Sequence, residues 1–224
     1  MRLLITLLFV SFIVASACKK QKSDPVVSTE PADSSKTLTG PGNSLNPKWP
    51  AMATDPPPVT KDSFTTYLIK AGNNFCEKNT YQAGNWAILR FRAVLDSSCI
   101  YTTALPVNQL DINKLYGFAD CSSFHHKNSA RFGWNWVNGE MRIHAYCYAD
   151  SVRKYKELGT VTVNKPFECK LTVLPDIYLF ELNGKTDTMQ RGCNTTTATG
   201  YKLLPYFGGD EPAPQDIRVK IQEY

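Results

Sequence analysis

The sequence predicts an all-β domain, a sandwich or barrel of short antiparallel strands, preceded by about sixty residues that do not belong to it. Three observations carry this. Apolar residues recur with period 2 from about residue 64 onward, and no stretch sustains the 3.6-residue period of an amphipathic helix. Turn signals separate the alternating runs, notably Asn138-Gly139 and Asn183-Gly184. Many short strands with regular turns are what sandwiches and barrels are made from.

The first element of the chain is a leader. Met1 and Arg2 precede an apolar run over residues 3–17, one positive charge followed by small and apolar residues, as in a secretory signal peptide. The run is short for a membrane span, which needs roughly 20 apolar residues. It ends in Ala15-Ser16-Ala17-Cys18, then Lys19-Lys20. Small residues before a cysteine resemble the lipobox of bacterial lipoproteins. That resemblance implies cleavage after residue 17, lipidation of Cys18 and acylation of the new amino terminus. It departs from the family's pattern at Ala15, where Leu or Val is usual. The plainer alternative is an ordinary cleaved signal in which Cys18 is incidental. Each buried methylene contributes about 0.8 kcal/mol and a single acyl chain holds only marginally, whereas the three chains of such lipoproteins would hold nearly permanently. The expected address is the cell envelope, anchored by lipid to a membrane, most simply the outer membrane, with the domain periplasmic or surface-exposed.

Residues 18–60 read as a tether. Eight prolines, from Pro25 to Pro58, fall here among Ser, Thr, Asp, Gly and Asn. So little apolar surface does not offset the entropy of ordering the chain. A coil of about 40 residues has an r.m.s. reach of about 35 Å. In the rival arrangement Trp49 or Met52 docks the tether onto the domain.

Residues 61–224 then form one domain, long enough to bury roughly 70% of its unfolded surface. The net charge is +5 and no dense Lys/Arg run occurs, so an exported chain of this kind is not expected to bind nucleic acid. Six cysteines follow Cys18: Cys76, Cys99, Cys121, Cys147, Cys169 and Cys193. Export permits disulfides. Cys121 and Cys193 both lie in Ser/Asn/Thr/Gly-rich stretches, where a long-range staple is plausible; Cys147 and Cys169 sit on apolar strand faces, as free core thiols or as a pair. No CxxC occurs, so neither a thioredoxin-type site nor a zinc ribbon is supported.

Strands are expected over 64–69, 86–95, 131–137, 140–148, 153–158, 160–163, 167–173, 177–182 and 216–222. The Asn138-Gly139 hairpin specifies its own register. A two-residue turn pairs Val137 with Glu140, and then Trp136 with Met141, Trp134 with Ile143 and Phe132 with Ala145, all apolar. The opposite face pairs Asn135 with Arg142, Gly133 with His144 and Arg131 with Tyr146. A one-residue slip would destroy this separation.

The run "RFGWNWVNGEMRIHAY", followed by "LGTVTVNKPFECKLTV" and "YLFELNG", resembles the middle of concanavalin A-like jelly rolls. That superfamily includes laminin-G-like modules, bacterial glucanases and several polysaccharide lyases. The tail "YKLLPYFGGDEPAPQDIRVKI" resembles its closing loop and last strand. The segments "DINKLYGFADC", "HHKNSARFGW" and "YFGGDEPAPQDI" are also similar to a group of bacterial secreted lipoproteins. The resemblance spans about residues 64 to 222. It implies an antiparallel jelly-roll β-sandwich and brings no activity with it.

The polar hairpin face is the first candidate site. Arg142, His144, Tyr146 and Tyr148 alternate along one strand, with Arg131 and Asn135 opposite. Gly133 faces His144 and is expected to leave a gap beside the imidazole. Arg90 and Arg92 point away from the apolar face of another strand and would extend this surface if both strands share a sheet. Sugars suit a basic, aromatic surface, because Arg holds an acidic sugar's carboxylate through two hydrogen bonds. The plain alternative is a solvated β face. Polysaccharide lyases of this fold use Arg or Asn to neutralise a uronate, His as base and Tyr as acid, which would cast Arg142, His144 and Tyr146 in those roles. The paired motifs of the alginate-lyase members are absent, however, and so is the Glu-x-Asp-x-x-Glu strand of the glucanases, without which retaining hydrolysis lacks its two carboxylates.

Two further clusters carry weaker signals. Cys121, His125 and His126 include metal-ligand types, but adjacent histidines rarely face one ion, and a disulfide would consume the cysteine. Asp210, Glu211 and Asp216 offer hard oxygens for calcium, an ion that takes 6–8 such ligands. A structural turn before the last strand is the simpler assignment, and no cofactor is expected beyond that calcium. Three functions compete: a non-catalytic glycan-binding module on a lipid tether, a lyase for an acidic polysaccharide, and an envelope protein that binds other proteins through its Trp- and Tyr-rich loops.

Overall fold

The computed structural model describes residues 63–224. The leader, Cys18 and the tether with Trp49 and Met52 lie outside the described residues. The strands are β1 (Thr65–Ile69), β2 (Ala83–Trp86), β3 (Ile88–Leu95), β4 (Asn113–Ala119), β5 (Ser129–Val137), β6 (Glu140–Ala149), β7 (Val152–Val161), β8 (Phe167–Val173), β9 (Ile177–Leu182), β10 (Lys185–Gln190), β11 (Ala198–Leu203) and β12 (Ile217–Glu223). They form two six-stranded antiparallel sheets. The first runs β1-β12-β3-β8-β9-β10 and the second β2-β11-β4-β5-β6-β7. This is an all-β sandwich, one of the two architectures that the alternation implied, with the jelly-roll arrangement that the resemblance implied.

The β5–β6 hairpin keeps the expected register throughout, from Val137↔Glu140 to Arg131↔Tyr146. On its apolar face Phe132, Trp134, Met141, Ile143 and Ala145 are fully buried between the sheets, and Trp136 is partly buried. There Phe132 meets Phe91 of β3 and Phe180 of β9 edge-to-face, at centroid separations of 5.5 and 5.0 Å. Aromatic pairs prefer this geometry because the positive ring edge meets the negative face. Cys147 and Cys169 lie on core faces as free, buried thiols, while Cys121 and Cys193 form a disulfide.

Other elements differ from expectation. The run 86–95 is broken in two: β2 pairs with β11 in the second sheet, whereas β3 pairs with β8 and β12 in the first. The pieces expected at 153–158 and 160–163 are one strand, β7, whose register shifts opposite Ile143 and His144. Gly159 takes φ +143° there, a backbone conformation open to a residue without Cβ. Four strands carried no legible alternation. β4 is buried on nearly every residue; β10 is short, polar and at a sheet edge; β2 and β11 are short and contain Gly84 and Gly200.

Two connections return across the outer face of the second sheet. Residues 100–112, with the short 3-10 helix Pro106–Leu110, are tied down where Gln109 Nε2 donates to the Trp136 carbonyl at 2.7 Å. The Glu211 carboxylate accepts from the Ala104 and Leu105 amides at 2.8 Å each and from Asn108 Nδ2 at 2.7 Å. Residues 204–213 cross beside it, with Tyr206 exchanging backbone hydrogen bonds with Lys114 at 2.8 and 3.0 Å.

Candidate functional site

The polar hairpin face is a covered surface, not a solvated one. Arg131, Asn135, His144 and Tyr146 are all buried. The gap expected at Gly133 is filled: a Cβ there would collide with Ile112 Cγ2, because residues 100–112 lie over it. His144 Nε2 pairs with Asn135 Oδ1 at 3.0 Å, and Asn135 Nδ2 donates to the Leu110 carbonyl at 3.2 Å. These two residues hold the overlying segment. Burial, with Arg142 second, pushes the His144 imidazole down to about 4. Arg142 spans Glu140 and Glu157 at 3.0 and 3.4 Å. Arg90 and Arg92 stand in β3 of the first sheet, so the condition for joining them to this face is not met; Arg92 pairs there with Glu168 at 3.2 Å.

Beside the covered strip the same face opens into a cavity of about 410 Å³. Arg131 of β5, Tyr146 and Tyr148 of β6, and Arg153 and Tyr155 of β7 line one side. Lys114 of β4 enters opposite Gly133, at a register shift that leaves Lys114 and Tyr116 paired with consecutive β5 residues. Such a bulge re-aims a side chain. His125 and His126 form one wall, and Asp111, Tyr206 and Asp210 form the other. The bare flank of Gly117 is required here, because a Cβ on it would meet the Cα and Cβ of Arg131 at 2.5 Å.

The cavity concentrates positive charge on aromatic rings. Lys114 Nζ stands 4.9 Å from the Tyr146 ring centroid and Arg131 Cζ 5.4 Å. Lys114 also donates to the Ile112 carbonyl at 2.7 Å. Burial, and then the neighbouring Arg131, lower the Lys114 ammonium to about 8. Burial likewise raises the Tyr146 hydroxyl to about 12. Asp111 is raised by burial, although the Asp210 amide that it accepts opposes this. His125 is pushed down to about 4 by burial and then by Arg131. It is therefore neutral, with Tyr201 Oη at 2.8 Å from Nδ1. The His125 backbone amide donates to the same hydroxyl at 3.1 Å.

Arg131 is the anomaly of this site. It is 6% exposed, its Nε is buried without a hydrogen-bond partner, and no carboxylate lies within ion-pair distance of its guanidinium among the described residues. A planar guanidinium beside a polar cavity has the geometry to pair with a carboxylate or sulfate through its terminal N–H donors.

The other candidates are dispersed. Cys121 is consumed by its disulfide, so the cluster with His125 and His126 has no thiolate. Glu211 is held below the usual carboxylate range by the Leu105 and Ala104 amides, and Asp216 by the Ala71 amide. Glu211 is thus committed to the 100–112 segment, Asp216 to Ala71 and Lys70 at 3.0 and 3.4 Å, and Asp210 to the cavity wall. The three do not converge. Among the described residues the one gathering of three metal-ligand side chains is Asp120, Cys121 and Cys193, two of which are disulfide-bonded.

Sequence reasoning placed Arg131, Tyr146 and Tyr148 on one face, and they meet there. It missed Lys114, Arg153, Tyr155 and the histidine wall as parts of the same cavity. One signal was available: Lys114 is the charged residue in an otherwise buried run, "NKLYGFA".

No family model and no curated protein matches the chain. Solved structures share the architecture. A polysaccharide lyase family 18 catalytic domain is 8% identical over 75% of this chain and 89% of its own, with TM-score 0.46. LamAcat from Zobellia galactanivorans is 13% identical over 72% and 76%, with TM-score 0.44. The carbohydrate-binding module CBM66 from Bacillus subtilis is 9% identical over 66% and 81%, with TM-score 0.35. Likenesses at this level concern architecture and say nothing of activity.

Proposed function

We propose that this is a lipid-anchored envelope protein whose β-sandwich binds an acidic saccharide in the cavity formed by Lys114, Arg131 and Arg153. The observation that carries the reading is Arg131, a buried guanidinium without a carboxylate partner that faces an aromatic-lined cavity. A buried charge left uncompensated is strongly unfavourable, and an incoming anion supplies the compensation. Charge within the cavity supports the same sign of ligand. Lys114, Arg131 and Arg153 outnumber Asp111 and Asp210 among its lining residues, His125 is neutral, and the tyrosines offer rings and hydroxyls. The lipid on Cys18 and the tether would hold this pocket near a membrane without packing it there.

A screen of the full chain against uronate, sulfated and neutral oligosaccharides tests the proposal. Uronate or sulfate ligands are expected to bind and neutral ones to bind far more weakly. Indifference to the anionic group would overturn it. One observation favours a second reading, β-elimination of a uronate polymer: Lys114, lowered to about 8, is near the range of a general base and lies beside Tyr146. The same screen separates the two readings, because a lyase converts the polymer to an unsaturated product that absorbs in the ultraviolet.

A further inference from the structure

A second groove lies along the other side of the histidine wall. It measures about 370 Å³ and is lined by Tyr81, Phe124 and Tyr201, with Ser122, Ser123 and Thr199 between them. No lining residue carries a formal charge. Phe124 is 82% and Tyr81 72% exposed, the largest values among the aromatic side chains of the described residues. Tyr81 packs on Tyr201 with centroids 5.4 Å apart and rings tilted by 34°. The floor is strand β11 at Gly200, where a Cβ would collide with the Ala119 carbonyl.

Phe124 is exposed on a loop that is tied down at nearly every step. Cys121 is bonded to Cys193. Ser123 Oγ donates to the Asp120 carbonyl at 2.8 Å, Ser129 Oγ donates to the His125 carbonyl at 2.7 Å, and Asn128 Nδ2 donates to Ser123 Oγ at 3.3 Å. The Phe124 carbonyl itself accepts the Lys127 and Asn128 amides at 2.8 and 3.1 Å. A large apolar ring carried on a fixed backbone loses hydration on contact without ordering the chain beneath it, which is the profile of a pre-organised anchor.

The two depressions share a wall. Tyr201 lines the groove and contacts both the backbone amide and Nδ1 of His125, which lines the cavity. Resting on the acidic-saccharide reading of the cavity, we propose that the groove is a second subsite, where Tyr81 and Phe124 stack a neutral sugar ring of the chain whose acidic residue enters the cavity. The apolar face of a pyranose matches the rings, and its hydroxyls match Ser122, Ser123 and Thr199. The lack of charge in the groove, beside a cationic neighbour, assigns the neutral unit to it. Recognition then extends past one sugar, and the protein selects for a mixed acidic and neutral chain.

The test uses the full chain in detergent, titrated calorimetrically with free glucuronate and with an oligosaccharide alternating glucuronate and a neutral hexose. The double variant Tyr81→Ser, Phe124→Ser should bind free glucuronate as the parent does and the oligosaccharide about tenfold more weakly, as expected for losing one or two ring contacts. Saturation-transfer NMR should show the neutral unit's ring protons receiving magnetisation from aromatic protons in the parent and losing it in the double variant. Both side chains are exposed, so an unchanged melting temperature accompanies the loss. Undiminished oligosaccharide affinity in the double variant overturns the second subsite while leaving the cavity reading intact. If Arg131→Met leaves glucuronate binding intact, or the parent binds neither these probes nor their sulfated counterparts, the cavity reading falls and the subsite with it.

Discussion

Two buried arginines in this sandwich are satisfied in opposite ways. Arg191 and Arg131 are 4% and 6% exposed. Arg191 follows β10 and crosses to the end of the second sheet, where its Nε donates to Asp120 Oδ2 at 2.7 Å and its Nη2 to Asp120 Oδ1 at 3.3 Å. Its remaining donors reach Thr195 Oγ1 at 2.8 Å and the carbonyls of Leu174 and Thr197 at 3.0 Å each. Asp120 also accepts from the Tyr178 hydroxyl at 2.6 Å and the Thr199 amide at 3.1 Å. Arg131 has tyrosine rings, nearest that of Tyr146, and a cavity, with no carboxylate partner among the described residues. A buried guanidinium whose partners are all supplied by the protein is structural. One without a carboxylate partner, facing a cavity, is the feature on which the acidic-saccharide proposal rests.

The comparison can be broken most forcefully at Asp120. Asp120→Ala leaves the Arg191 charge buried and unpaired, along with the Tyr178 hydroxyl, and should cost about 3–5 kcal/mol in chemical denaturation. A loss under about 1 kcal/mol would mean that the ion pair does not join the two sheets as described.

A smaller effect sharpens the other side. Lys114 is lowered to about 8 in the folded protein from an ordinary 10.5. Its ammonium is therefore lost as pH rises through about 8, and affinity for an acidic saccharide should fall several-fold from pH 7 to 9. Between the folded and unfolded values the unfolded chain binds more protons, so the Lys114 contribution to stability rises over the same interval. Affinity and stability should thus move in opposite directions in parallel titrations. Lys114→Arg should flatten the affinity curve, and a profile unaltered by that change would remove Lys114 from the site.

How much of this was legible in the sequence depends on how each strand is covered. β5 and β6 alternate cleanly because one face meets the other sheet, and their register followed from Asn138-Gly139 alone. β4 was invisible because it is buried on both faces, and such a strand reads as a run without period. That omission hid Lys114. The polar face of β5 and β6 read as solvated because alternation reports only that a face differs from the core. Whether another segment returns across it is decided by long-range ties, such as Gln109 to Trp136 and Glu211 to residues 104–108. For the same reason His144 and Arg131, alike in pattern, end in different places: one is sealed under Ile112 and the other opens on the cavity. Arg90 and Arg92 were displaced because the chain changes sheets between β2 and β3, and no turn residue marks that change.

The most direct measurement is Arg131→Met, followed by denaturant stability and by glucuronate affinity on the same preparation. The account predicts that stability is unchanged or rises by about 1 kcal/mol, since an unpaired buried charge is replaced by an apolar chain of similar length, while glucuronate affinity falls at least tenfold. A stability loss as large as that of Asp120→Ala, with glucuronate binding retained, would contradict it.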